Sequence, residues 1–124
     1  MSKKITTSLD GKELTLYVTV PRFYNLFKQA TGKDLLVMAA LMKDNQEMVD
    51  LIEIGKGIVY AGYYTECQRN KVTPVMSKEE IFEAIDFTED NYHIKIINQW
   101  SEVSNLSDVP GEQNGQLKDS VLTT

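Results

Sequence analysis

The chain has 124 residues, 42% apolar and 25% charged, with a net charge of −5, which is enough for one domain with its own core and ordinary for a soluble globular protein. Only Arg22 and Arg69 carry guanidinium groups and no Lys/Arg cluster is visible, so the electrostatic footprint of a nucleic-acid binder is missing. No apolar run approaches the roughly 20 residues that span a bilayer, and no membrane partner is expected.

The N-terminus, Met1-Ser2-Lys3-Lys4 followed by Ile5-Thr6-Thr7, lacks the apolar centre of a signal peptide, and the expected location is the cytoplasm. Residues 3–20 read as a β-hairpin. Ile5, Thr7 and Leu9 alternate before Asp10-Gly11, a favoured two-residue turn, and Leu14, Leu16, Val18 and Val20 alternate after it. Pro21 ends the second strand and suits the first turn of a helix, where its missing N–H costs nothing. That helix, Arg22–Thr31, carries Phe23, Leu26, Phe27 and Ala30 on one face and stops at Gly32. Asp34 caps the next helix, Leu35–Met42, which is apolar nearly all round and is therefore expected to be buried. Lys43-Asp44-Asn45-Gln46 is a polar break.

Met48–Asn70 is the longest periodic element and the expected centre of the fold. Met48, Leu51, Gly55, Ile58 and Gly62, with Ile52, Val59, Tyr63 and Cys67 alongside, form a broad apolar stripe at helical spacing. Asp50, Glu53, Tyr60, Tyr64 and Gln68 occupy the opposite side. Gly55, Gly57 and Gly62 each weaken a helix by roughly 1 kcal/mol relative to alanine. They require either close approach of a neighbouring element or a kink near Gly55–Gly57. The helix ends in the polar segment Gln68–Lys71, with Pro74 beyond it. Ser77-Lys78-Glu79-Glu80 matches a capping box, and Met76 and Ile81 are placed for a hydrophobic staple. The helix it opens presents Ile81, Phe82 and Ile85 to the core and leaves Glu79, Glu83 and Asp86 in water. Thr88 or Asp90 starts a last helix through Val103, with Ile96, Ile97, Trp100 and Val103 as its apolar side; the alternation Tyr92, Ile94, Ile96 also permits a strand. From Asn105 onward the chain is polar, contains Pro110, Gly111 and Gly115, and reads as a disordered tail. The expectation is an α+β, mostly α fold. An N-terminal β-hairpin precedes about five helices arranged around a central one, in one domain over 1–104 with a flexible tail at 105–124.

Chemistry-bearing residues are few. Cys67 is the single cysteine and His93 the single histidine. No internal disulfide is possible, a reducing compartment fits, and a Cys/His zinc site cannot be built. A Cys67–His93 nucleophile pair needs the fold to bring the two together, whereas a buried, inert thiol is the commoner state of a free cysteine. Gly55-Lys56-Gly57 resembles a phosphate loop only superficially, because Lys56 is followed by Gly57 and Ile58 rather than Ser or Thr. Glu79, Glu80, Glu83, Asp86, Glu89 and Asp90 form an acidic stretch. Paired carboxylates serve acid–base chemistry or hard cations, but here a favourable helix N-terminus and a solvated face explain them more simply. No catalytic residue, cofactor site or metal site is expected. Tyr60 and Tyr64, a turn apart on the polar side of the central helix, are candidate partner-binding residues, since aromatics on a polar face mark interfaces. Alternatively another element of the domain, such as the hairpin, covers them.

The hairpin, the segment Pro21-Arg22-Phe23-Tyr24-Asn25-Leu26-Phe27-Lys28-Gln29-Ala30-Thr31-Gly32-Lys33-Asp34, the buried helix, the central helix and the Ser77-Lys78-Glu79-Glu80-Ile81 helix come in a suggestive order. Over roughly residues 10–100 this pattern resembles the tail assembly chaperones of long-tailed bacteriophages and related prophages. Those proteins are small, acidic and largely helical. The resemblance aligns their aromatic-bearing helix with Phe23–Gly32, their central helix with Met48–Asn70 and their capped helix with Ser77–Phe87. It implies a non-enzymatic protein of the host bacterial cytoplasm that binds the tape-measure protein and helps recruit tail-tube subunits. It also implies a possible homo-oligomer, and in many such phages a ribosomal frameshift appends a C-terminal extension. No functional residues carry over. The alternatives are a small helical adaptor or regulatory binding protein of a mobile element, docking through the acidic helix at 77–90, and a small enzyme using the carboxylates of 79–90 or Cys67.

Overall fold

The computed structural model describes residues 3–44 and 49–104. The expected tail at 105–124, the Asn45-Gln46 part of the polar break and the Met48 start of the central helix lie outside the described residues. Within them the order is β1 (Lys4–Leu9), β2 (Lys12–Tyr17), α1 (Arg22–Thr31), α2 (Leu35–Asp44), α3 (Leu51–Asn70), α4 (Lys78–Asp86) and α5 (Tyr92–Val103). The fold is α+β and mostly α, with the hairpin first and the helices after it, as the sequence pattern predicts.

The hairpin closes where the turn chemistry says it should. Asp10 and Gly11 both take positive φ, 53° and 74°, the pair of left-handed residues a tight hairpin turn requires. Register follows, with Leu9 opposite Lys12, Thr7 opposite Leu14 and Ile5 opposite Leu16. One face therefore collects Ile5, Leu9, Leu14 and Leu16, all buried. The alternation stops one step earlier than expected: β2 ends at Tyr17, Val18 is still buried, and Val20 is exposed. Pro21 follows a cis peptide bond and stands at the N-cap of α1, one place ahead of its expected first-turn position.

The helix boundaries rest on local hydrogen bonds. Gly32 ends α1 in the left-handed conformation (φ 75°), donating its N–H to Lys28 O at 2.7 Å. Asp34 Oδ1 accepts from Leu36 N and Val37 N at 2.9 and 3.1 Å, which satisfies two first-turn donors of α2. Asp50, expected within the central helix, instead caps it in an extended conformation by accepting from Glu53 N, so α3 begins at Leu51, later than expected. The capping box of α4 is complete: Ser77 Oγ accepts from Glu80 N at 3.1 Å and Glu80 Oε1 from Ser77 N at 2.8 Å. The last helix starts later than Thr88 or Asp90, because residues 88–91 turn instead, with Tyr92 N donating to Glu89 O. Tyr92 is buried and its hydroxyl lies 2.8 Å from Thr7 Oγ1, which ties the start of α5 to β1. The segment is helix, not strand.

Everything converges on α3, an uninterrupted helix of 20 residues. Its glycines have the packing reason that their propensity cost demands. A Cβ added at Gly55 would lie 2.6 Å from His93 Cβ on α5, one at Gly57 would lie 2.5 Å from the Phe27 ring on α1, and one at Gly62 would lie 2.5 Å from Leu16 Cβ on β2. Each bare position admits a different element to within contact of the helix axis, and no kink is needed. Around this axis Phe23, Phe27, Leu16, Ile54, Ile58, Val59, Ile81, Ile96 and Trp100 are fully buried.

Three expectations of burial are corrected. Ile52, expected on the apolar stripe of α3, is exposed. Phe82, assigned to the core, is only partly buried; its ring lies beneath the ammonium groups of Lys56 and Lys78, at 5.7 and 5.9 Å from the centroid. The larger correction is α2. An all-round apolar helix should be buried, yet only Leu35, Ala39 and Met42 are. The helix leans chiefly on α1, and one row of inward positions exhausts that contact.

Candidate functional site

The residues with chemical potential are not assembled into a reaction centre. Cys67 sits in the penultimate turn of α3, buried, where loss of hydration pushes its thiol above the ordinary value and away from thiolate. His93 packs beside Gly55, twelve residues earlier along the same helix, or about 18 Å at the helical rise of 1.5 Å per residue. The fold does not pair them. Lys56, flanked by the two glycines, projects from the middle of a helix rather than from a loop, and its ammonium meets Asp86 Oδ1 at 2.7 Å.

The acidic stretch disperses in the same way. Glu80 is occupied by the capping box, Asp86 by Lys56 and Glu89 by Lys95, while Glu79, Glu83 and Asp90 point to water. Among the described residues no three His, Cys, Asp or Glu side chains come together in a way that could hold a metal ion. Nor is any helix long and apolar enough to cross a membrane.

Tyr60 and Tyr64 stack on one another, ring centroids 4.5 Å apart and planes tilted by 38°. Both are half-buried, and burial pushes both phenols above the usual range; Glu79 adds to this at Tyr60, and Tyr60 itself adds to it at Tyr64. At Tyr64 the connection between α3 and α4 supplies part of the cover. Tyr64 donates its hydroxyl to Met76 O at 2.9 Å, and Tyr63 accepts Val75 N at 2.8 Å. These two phenols latch the connection onto the last turns of α3. Tyr63 was legible as an apolar-side residue, but its polar role was not, because its partner lies twelve residues away across a non-periodic segment.

A surface that the sequence reading missed is the outer side of α2. Leu36, Val37 and Leu41 are 50, 53 and 38% exposed. At spacings of one, four and five residues they fall on a single stripe with Ala40, also exposed. Ile52, exposed on the first turn of α3, adjoins Glu53, whose carboxylate meets Lys33 Nζ at 2.7 Å just ahead of α2. Scattered exposed apolar side chains are normal, whereas a continuous helical stripe of them is the form an interaction face takes. The available signal was the unbroken apolar run itself, which marks either a buried helix or one whose cover is another molecule.

Comparison with known proteins adds nothing to this picture: no protein family, curated protein or solved structure matches the chain.

Proposed function

We propose that the chain is a tail assembly chaperone of a long-tailed phage or prophage. In this reading it is a non-enzymatic binding protein of the host bacterial cytoplasm that holds the tape-measure protein soluble and helps recruit tail-tube subunits. The observation that carries the reading is the uncovered apolar stripe of α2. A partner that is itself a long, apolar, helical polypeptide needs an amphipathic face to lie against, and helix-on-helix burial of such stripes is a standard mode of recognition. Leu36, Val37 and Leu41 supply it on a helix whose inner side is already anchored by Leu35, Ala39 and Met42. Tyr60, half-buried beside Tyr64, is the second contact this reading employs.

The test is co-expression with the tape-measure protein encoded beside it, followed by pull-down and size exclusion with light scattering. A soluble complex with several copies of this chain per partner is the expected result, and Leu36→Ser with Val37→Ser should leave the partner insoluble. A chain that elutes alone from wild-type co-expression overturns the proposal. A complex that survives both the α2 substitutions and Tyr60→Glu removes the assigned surface.

A further inference from the structure

A second surface, sharing no residue with α1 or α2, lies where the hairpin turn approaches α4. A groove of about 510 Å³ runs between them. On the helical side Glu80, Glu83 and Phe87 line it at spacings of three and four residues, one face of α4. On the other side are Val75 in the α3–α4 connection and Asp10 and Lys12 at the hairpin. Phe87 is 82% exposed and Val75 is 71% exposed, so two of the most solvent-exposed large apolar side chains of the described residues border one depression. Its charge is one-sided. Lys12 is answered by Asp10 at 3.8 Å, Glu80 is engaged in its capping box, and no ion pair or hydrogen bond holds the Glu83 carboxylate among the described residues. Glu83 stands one turn before Phe87 on the same face, so a free anion and a bare aromatic ring are presented side by side.

We propose that this groove docks a basic amphipathic segment of another protein, with an apolar side chain laid against Phe87 and Val75 and a Lys or Arg meeting Glu83. The charge selects the occupant. A second copy of this chain brings a further net −5, and nucleic acid or an anionic membrane brings more negative charge still. Each would be repelled by the carboxylates that attract a cationic segment. The cation also finds an aromatic face beside the carboxylate, which adds a second attraction at the same place. The connection carrying Val75 is held by the Tyr63 and Tyr64 hydroxyls, so the groove wall is preformed rather than assembled on binding. The proposal stands independently of the chaperone reading, whose surface is α2.

The experiment titrates the full chain into a fluorescently labelled Lys/Leu peptide patterned as an amphipathic helix. Comparison peptides are a Lys/Leu peptide of the same composition in scrambled order and a Glu/Leu peptide with the original pattern. Anisotropy reads affinity, and amide chemical shifts read the site. Expected are binding of the patterned basic peptide alone, weakened by salt, with shifts confined to residues 10–12, 75–76 and 80–88. Glu83→Lys and Phe87→Ser should each weaken it by about tenfold or more, while Leu36→Ser leaves it unchanged. Phe87 is too exposed for its loss to unfold the chain; should that variant nonetheless melt early, Val75→Ser reads the same contact. The proposal is overturned by no binding, by equal binding of the scrambled peptide, or by shifts centred on α2.

Discussion

Two helices of this molecule are rich in apolar residues and end up in opposite situations. α3 is enclosed through its middle, with Ile54, Ile58, Val59 and Ala61 at or below 2% exposure. α2, apolar at almost every position, is covered on one side only. Composition does not separate them; the more apolar helix is the more exposed one. What separates them is glycine. Gly55, Gly57 and Gly62 let α5, α1 and β2 reach the α3 backbone, so this helix gathers three neighbours. α2 has no such position, and leucine, methionine and valine hold any second neighbour at side-chain distance. Burial of a helix is thus decided by how closely others can approach it, which is a property of its smallest residues.

The sharpest way to break that contrast is to truncate the core of α3. Ile58 is fully buried, and Ile58→Ala should destabilise by about 3 kcal/mol through lost transfer energy and the cavity left behind. Urea unfolding measures it, and a loss below half that amount would mean that the centre of the fold has been misplaced. The glycines come next. Gly62→Ala gains about 1 kcal/mol of helix propensity but sets a methyl group 2.5 Å from Leu16 Cβ and 3.2 Å from Leu16 Cα. The strand register fixes that backbone, so overpacking outweighs the gain and the net loss should be about 1–2 kcal/mol. A stabilised Gly62→Ala variant in thermal melts would refute the close-approach argument outright.

Smaller again is the latch at the far end of α3. Tyr64→Phe removes the hydrogen bond to Met76 O while keeping the ring, at a cost of about 1 kcal/mol, and hydrogen exchange should quicken at residues 74–77 before it changes elsewhere. The buried phenols and the thiol also predict an alkaline limit. Burial raises Tyr24, Tyr60, Tyr63, Tyr64, Tyr92 and Cys67 above their ordinary values. Their neutral forms are favoured in the folded chain, so the unfolded chain gives up its protons first. The stability the tyrosines contribute is complete below their ordinary value of about 10, and that of Cys67 below the lower ordinary thiol value of about 8.5; each is lost as pH rises through the raised native value. Unfolding midpoints flat to neutral pH and falling in alkali are expected; midpoints that rise in alkali would reverse the sign of the argument.

Local features were legible in the sequence and long-range ones were not. Asp10-Gly11, Asp34 and the Ser77–Glu80 box act within three residues, and each is where its chemistry places it, whereas Asp50, expected inside the central helix, caps it instead. The three helix glycines announced that something must come close, but His93, Phe27 and Leu16 could not be read from spacing alone. The exposure of α2 was hidden for the same reason, since periodicity says which positions are apolar and not whether the domain has enough partners to cover them. The fold was thus accessible to local rules wherever a turn or cap decides. The surfaces available to a partner were not, because exposure is what remains after every long-range contact has been made.

The smallest expected effect is the most informative about α2. Val37→Ala removes methyl groups that are about half in water already, while alanine is the better helix former. The two changes nearly cancel, and stability should move by no more than about 0.5 kcal/mol. Its neighbour Leu35, 1% exposed on the inner side of the same turn, should cost about 3 kcal/mol when truncated to alanine. Residues two apart on one helix then differ several-fold in what they hold, and chemical denaturation of the two variants side by side reads the ratio. If Val37→Ala proves as costly as Leu35→Ala, the outer stripe is already covered in the free protein and has nothing left to offer a partner. If it is silent in stability yet weakens the proposed complex with a tape-measure protein, the apolar surface of α2 is there for another chain.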